Sequence, residues 1–124
     1  MSAKTVAEKL HIKPGMEISF FNQPDNLDEL LGGLPDDITI AKELENTNLD
    51  LMLAFIEDRQ MLEAYLFSLR ETIADDGALW LAYHTGSTDM NRHTINEYEK
   101  TLGLKGVAFI AITNNWSGLR LKKV

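Results

Sequence analysis

The side chains best suited to chemistry in this chain are His84 and the adjacent carboxylates Glu57 and Asp58. A histidine beside a carboxylate can exchange protons near neutral pH, which a hydrolase requires. Two neighbouring carboxylates in one cleft push their pKa values apart and can divide the acid and base roles. A plainer reading stands beside each. Asp58 precedes a segment of helical spacing and suits an N-cap, which leaves Glu57 as its solvated neighbour. His84, Asp89 and His93 can be drawn together as metal ligands, but their spacing matches no familiar metal motif, so a structural or solvent-facing role is favoured. Ser87 and Ser117 carry hydroxyls, yet neither stands in the Gly-x-Ser-x-Gly elbow that activates a serine nucleophile. Gly32-Gly33 closes a helix and is no phosphate cradle. His11 reads as a surface or packing residue. The sequence has no cysteine, which excludes disulfides and thiolate chemistry and suits a reducing interior.

These groups must be positioned by the elements around them. Val6, Leu10 and Ile12 mark a short opening helix, and Pro14-Gly15 turns the chain. Met16 to Phe21 reads as a first strand, broken by Asn22-Gln23-Pro24. Asp25 is the expected cap of a helix carrying Leu27, Leu30, Leu31 and Leu34. Ile38 to Ala41 is a short second strand. The nearly unbroken apolar run from Leu49 to Ile56 suits a third strand covered on both faces. Leu62, Tyr65, Leu66, Leu69 and Ile73 recur with helical spacing after Asp58, and Asp75-Asp76-Gly77 reads as the end of that helix. Ala78 to Tyr83 is a fourth strand. Ile95, Tyr98 and Leu102 mark another helix, Val107 to Ile112 a fifth strand, and Trp116 to Lys122 its antiparallel partner across Thr113-Asn114-Asn115.

Alternating strands and helices predict one three-layer, Rossmann-like α/β domain over residues 1–124, with a mostly parallel sheet of about six strands and a C-terminal antiparallel hairpin. The order of the last two strands is left open. One connection is tight: Lys42 to Asn48 reaches roughly 25 Å when extended, just enough to return along a short strand without a helix. In such a sheet, ligands sit outside the carboxyl ends of the parallel strands, where strand order reverses. That rule gathers Asn22, Gln23, Lys42, Glu43, Glu57, Asp58, His84, Thr85 and Ser87 along one rim. Trp116 and Arg120 share a face of the last strand and form a second candidate patch, for an anionic or aromatic partner, unless Trp116 serves only to wedge the hairpin against the sheet. Trp80 and Phe109 are read as aromatic packing.

Composition narrows the partners. The chain is 44% hydrophobic and 25% charged, as folded domains are, with a formal charge of −7. That charge argues against a nucleic-acid backbone as partner. No apolar run approaches the ~20 residues that span a bilayer, and the first residues lack the apolar core of a signal peptide. A cytoplasmic protein with no membrane partner is expected, and homo-oligomers stay open.

The segments Ala7-Glu8-Lys9-Leu10-His11-Ile12-Lys13-Pro14-Gly15, Asp76-Gly77-Ala78-Leu79-Trp80, Thr88-Asp89 and Trp116-Ser117-Gly118-Leu119-Arg120 together resemble a family of small bacterial cytosolic proteins known as a domain of unknown function. The resemblance spans nearly the whole chain, and Trp-Ser-Gly-Leu-Arg is its most specific part. Tyr83-His84-Thr85 stands where that family has a proline-lysine pair, and Asn114-Asn115 where it has an acidic residue. More distantly, the helix, Asp-Gly strand and closing hairpin look like the C-terminal half of the class I methyltransferase fold, shortened by one strand–helix unit. That likeness implies fold and not activity.

A cofactor of the S-adenosylmethionine type normally meets a glycine-rich turn after the first strand, because only there can backbone approach it closely. This chain has Phe21-Asn22-Gln23-Pro24 instead, although Glu43 could serve as a ribose-binding acid. No cofactor is therefore expected. The residues favour a non-catalytic module binding a small molecule or a protein on a shortened methyltransferase-like scaffold. The alternative is a small enzyme, either a residual methyltransferase or a hydrolase using His84 with Glu57 or Asp58.

Overall fold

The computed structural model describes residues 5–42 and 48–124. In chain order the elements are α1 (Val6–Lys9), β1 (Glu17–Phe21), α2 (Leu27–Leu31), β2 (Thr39–Ile40), β3 (Leu49–Phe55), α3 (Arg59–Thr72), β4 (Ile73–His84), α4 (Arg92–Glu99), β5 (Leu104–Ala111) and β6 (Trp116–Lys123). The strands form one sheet in the order β2-β1-β3-β4-β6-β5. β2 and β3 run parallel to β1, and β4 runs parallel to β3. β6 lies antiparallel between β4 and β5. From β1 the chain moves outward to β2, then crosses back to place β3 on the other side of β1. The strand order therefore reverses between β1 and β3.

Each face of the sheet has its own core. Met52, Ala54, Ile56, Leu79 and Leu81 pack with Leu62, Leu66 and Leu69 of α3 and Ile95 of α4. Leu51, Leu53, Phe55, Trp80 and Ala82 pack on the opposite face with Ala7, Leu10 and Leu31. β3 feeds both cores, which accounts for its unbroken apolar sequence. Trp80 is fully buried, and its indole N–H donates to the Leu10 carbonyl at 3.2 Å, tying the end of α1 to the sheet.

Local signals explain most helix ends. Thr5 and Glu8 form a reciprocal capping box on α1. Asp58 caps α3 by accepting the Met61 N–H at 2.8 Å. Replacing Asp58 with Ala should cost about 1 kcal/mol by chemical denaturation, as cap losses do, without altering any ligand affinity.

Four expectations need correction. Asp25 is not the cap of α2: Asn26 holds that position, and no side chain caps the helix. Asp75-Asp76-Gly77 does not end α3, which stops at Thr72, and Ile73 opens β4 rather than closing a helical stripe. Leu49 pairs with Ile73 and Leu51 with Ala78, so Ala74 to Gly77 bulge out opposite Asp50 alone. A turn-like tripeptide here serves a bulge within a strand. β5 begins at Leu104, before the predicted Val107. Phe109 is no core residue: it is 49% exposed on an edge strand, with the Arg92 guanidinium 5.7 Å from its ring centre.

Candidate functional site at the carboxyl rim

The parallel strands β1 to β4 end at one edge, as the sequence predicts, and the loops after β1, β3 and β4 follow there. At the switch point, β1 is followed by Asn22, whose φ of 54° is left-handed. Asparagine tolerates that conformation better than other residues with a Cβ. Its side-chain amide donates to the Phe55 carbonyl at 2.9 Å and lies 3.6 Å from the Met61 sulfur. The amide thus spans the β1–β3 crevice that a ligand would enter in this type of sheet. Gln23 is exposed beside it. Glu43 lies outside the described residues.

A more elaborate group forms at the end of β4. His84 Nε2 and Glu57 Oε2 are 2.6 Å apart, each side chain 47% exposed. Trp116, the register partner of His84 on β6, stacks on the imidazole with ring centres 4.2 Å apart and planes inclined by 28°. The same indole meets Phe55 edge-on at 5.0 Å. Glu57 and Trp116 therefore hold the imidazole from two sides. No hydroxyl hydrogen-bonds to His84 or Glu57 among the described residues. Thr85 Oγ1 instead pairs with Ser117 Oγ at 2.9 Å. Ser87 pins the loop before α4, its hydroxyl accepting the Met90 N–H and its carbonyl the Asn91 side-chain amide. Asn91 in turn caps α4 through the Thr94 N–H.

Among the described residues, two clefts open along this rim. One, of about 300 Å³, lies between α2 and the β5–β6 turn and is lined by Asn26, Glu29, Leu30, Thr113, Asn115 and Trp116. The other, of about 370 Å³, lies at the start of α3 beside Asp58, Arg59 and Asp89. There Arg59 bridges to Glu63 at 3.2 Å and Glu97 at 3.1 Å, while Asp89 accepts the Arg59 N–H. The Tyr98 hydroxyl donates to Glu63. That bond, joined by Arg59, holds the Glu63 carboxyl below its ordinary pKa, and the same bond to Glu63 raises the Tyr98 phenol. His93 is 87% exposed, 3.8 Å from Glu97. Among the described residues no group of three or more His, Asp or Glu is arranged to hold a metal ion.

The structure separates the second predicted patch. Trp116 joins the rim, whereas Arg120 lines a cavity with Leu10, Asp50 and Asp76, where β3 begins and β4 bulges. Sequence reasoning placed His84 and Glu57 on one rim but did not pair either with Trp116. It also missed the Asn22 bridge and the Arg59–Glu63–Tyr98 cluster. Only the i, i+4 spacing of Arg59 and Glu63 advertises that cluster in sequence.

No family model matches the chain, and comparison with curated proteins finds no match either. Solved structures are informative. A ribosomal protein L11 methylase from Lactobacillus delbrueckii subsp. bulgaricus superposes with a TM-score of 0.60 at 14% identity, covering 95% of this chain and 74% of that one. A DhpI–SAH complex gives 0.62 at 10% identity, with 95% and 82% covered. A TehB-like SAM-dependent methyltransferase from Corynebacterium glutamicum gives 0.59 at 10% identity, with 96% and 85% covered. The chain therefore has the Rossmann-like fold of class I methyltransferases, with a parallel sheet and a closing antiparallel hairpin. No helix among the described residues is long and apolar enough to cross a membrane.

Proposed function

We propose that this chain is a small-molecule-binding module on a methyltransferase-like scaffold, with no reaction of its own. The observation that carries this reading is the Asn22 side chain spanning from β1 to the Phe55 carbonyl. It occupies the switch-point crevice where a nucleotide-like cofactor would need bare backbone. Ligand space lies further along the rim, in the cleft against Trp116. An indole beside the Glu29 carboxylate, with Glu57 close behind on His84, suits a small organic cation. The chain's formal charge of −7 favours the same class.

A second reading, a residual S-adenosylmethionine-dependent methyltransferase, draws on the likeness to the DhpI–SAH complex over 95% of this chain. The two readings part on S-adenosylhomocysteine, which keeps the adenosine and the amino-acid group but lacks the sulfonium charge. Thermal unfolding and tryptophan emission should be followed with S-adenosylhomocysteine and with tetramethylammonium. The binding-module reading expects tetramethylammonium to perturb Trp116 emission, lost in Trp116→Ala, while S-adenosylhomocysteine changes nothing. Stabilisation of roughly 2.7 kcal/mol at a hundredfold excess over Kd by S-adenosylhomocysteine, and also by adenosine alone, would establish the methyltransferase reading instead. An emission unmoved by tetramethylammonium would remove the organic cation.

A further inference from the structure

The amino-end cavity has a volume of about 400 Å³ and is lined by Leu10, Lys13, Asp50, Leu51, Asp76 and Arg120, with His11 at its side. It lies beneath the end of α1, where Trp80 fastens the Leu10 carbonyl. His11, Lys13, Asp50 and Asp76 are exposed at its mouth, and Arg120 is half-buried. Arg120 Nε is buried and has no hydrogen-bond partner. That donor costs free energy but has no accessible surface, so a ligand in the cavity meets the terminal guanidinium nitrogens. Further, two cations and two carboxylates line one space, yet Lys13, Asp50, Asp76 and Arg120 form no ion pairs with one another among the described residues. Asp50 spends one oxygen on the Glu17 N–H at 2.8 Å.

We infer that this cavity is a second binding site, for a small zwitterion of the α-amino acid class. A dianion such as phosphate would meet Asp50 and Asp76, and a metal ion would meet Lys13 and Arg120. A ligand carrying one charge of each sign satisfies both sets. Its carboxylate accepts from the Arg120 guanidinium, the geometry for which guanidinium is best formed. Its ammonium faces Asp76 and Asp50. Leu10 and Leu51 supply an apolar wall for a hydrocarbon side chain.

The test uses L-leucine, with acetate and methylammonium as single-charge controls. Calorimetry should give saturable one-to-one binding, and the Arg120 Nε–H resonance, assigned by its loss in Arg120→Gln, should shift on titration. Arg120→Gln should weaken binding roughly thirtyfold, as truncating one partner of a buried charge pair does, and Asp76→Asn, at an exposed carboxylate, by about fivefold. Both controls should bind far more weakly than leucine. An unmoved Nε–H resonance at millimolar leucine would overturn the proposal, and so would wild-type affinity in Asp76→Asn. Acetate binding as tightly as leucine would reduce the cavity to a simple anion site. The Asp76 variant keeps the proposal testable should Arg120→Gln fail to fold.

Discussion

Trp80→Ala is expected to lower the unfolding free energy by roughly 3–5 kcal/mol, the cost of emptying a buried aromatic site. The indole is wholly enclosed and sits among Leu51, Leu53, Phe55 and Ala82 on the face covered by α1 and α2. Domains of this kind hold only about 5–15 kcal/mol in reserve, so the variant should unfold at much lower urea. Trp80→Phe separates packing from hydrogen bonding. It keeps most of the ring volume but leaves the Leu10 carbonyl without its indole donor, for a loss of about 1–3 kcal/mol. Leu10 lines the amino-end cavity, so Trp80→Phe should also weaken leucine there. A Trp80→Ala loss below about 1 kcal/mol would mean that the indole does not fill this core.

Gly77→Ala should be the most damaging single-methyl addition in the sheet. A Cβ at this position would lie 2.6 Å from the Leu49 carbonyl oxygen and 3.1 Å from both the Ala74 nitrogen and oxygen. All three are backbone atoms of the β3–β4 bulge, and none can rotate aside. The pairing of Leu49 with Ile73 must then yield. A loss of roughly 2–3 kcal/mol is expected, toward the upper part of the over-packing range. Gly86→Ala is the control: nothing lies within 4 Å of its added Cβ, so only the strain of its positive φ remains, at about 1 kcal/mol. Equal losses at the two glycines, read by urea midpoints, would show that the bulge accommodates a methyl group.

Gly77 also shows where sequence reading stops. Asp-Asp-Gly after a helical stripe has the composition of a turn, and composition cannot distinguish a turn from a bulge whose partner strand lies elsewhere in the chain. Signals confined to neighbours in sequence were legible. The apolar run of β3, the Asp58 cap and the Gly32 stop, with φ of 74°, all act within a few residues. The parallel direction of the early strands followed from their alternation with helices. The rim was therefore legible as a set of loop ends around Asn22, Glu57 and His84. Its internal contacts were not. His84 meets Trp116 through the antiparallel register of β4 on β6, and strand order does not show in either local sequence. Asn22 gave no sign that its amide would cross to Phe55, because that bond follows from the left-handed backbone it adopts.

The position of β6 has a kinetic consequence. Among the described residues β5 pairs with no strand but β6, so it joins the sheet as half of a hairpin. That hairpin closes over a short local turn, in which Thr113 Oγ1 accepts the Asn115 and Trp116 N–H groups. It can form in about 1–10 μs, whereas the pairing of β6 with β4 must first close a much longer loop. Assembly then proceeds by docking a preformed ribbon onto an older parallel half. Denaturants that melt that junction should release both strands together.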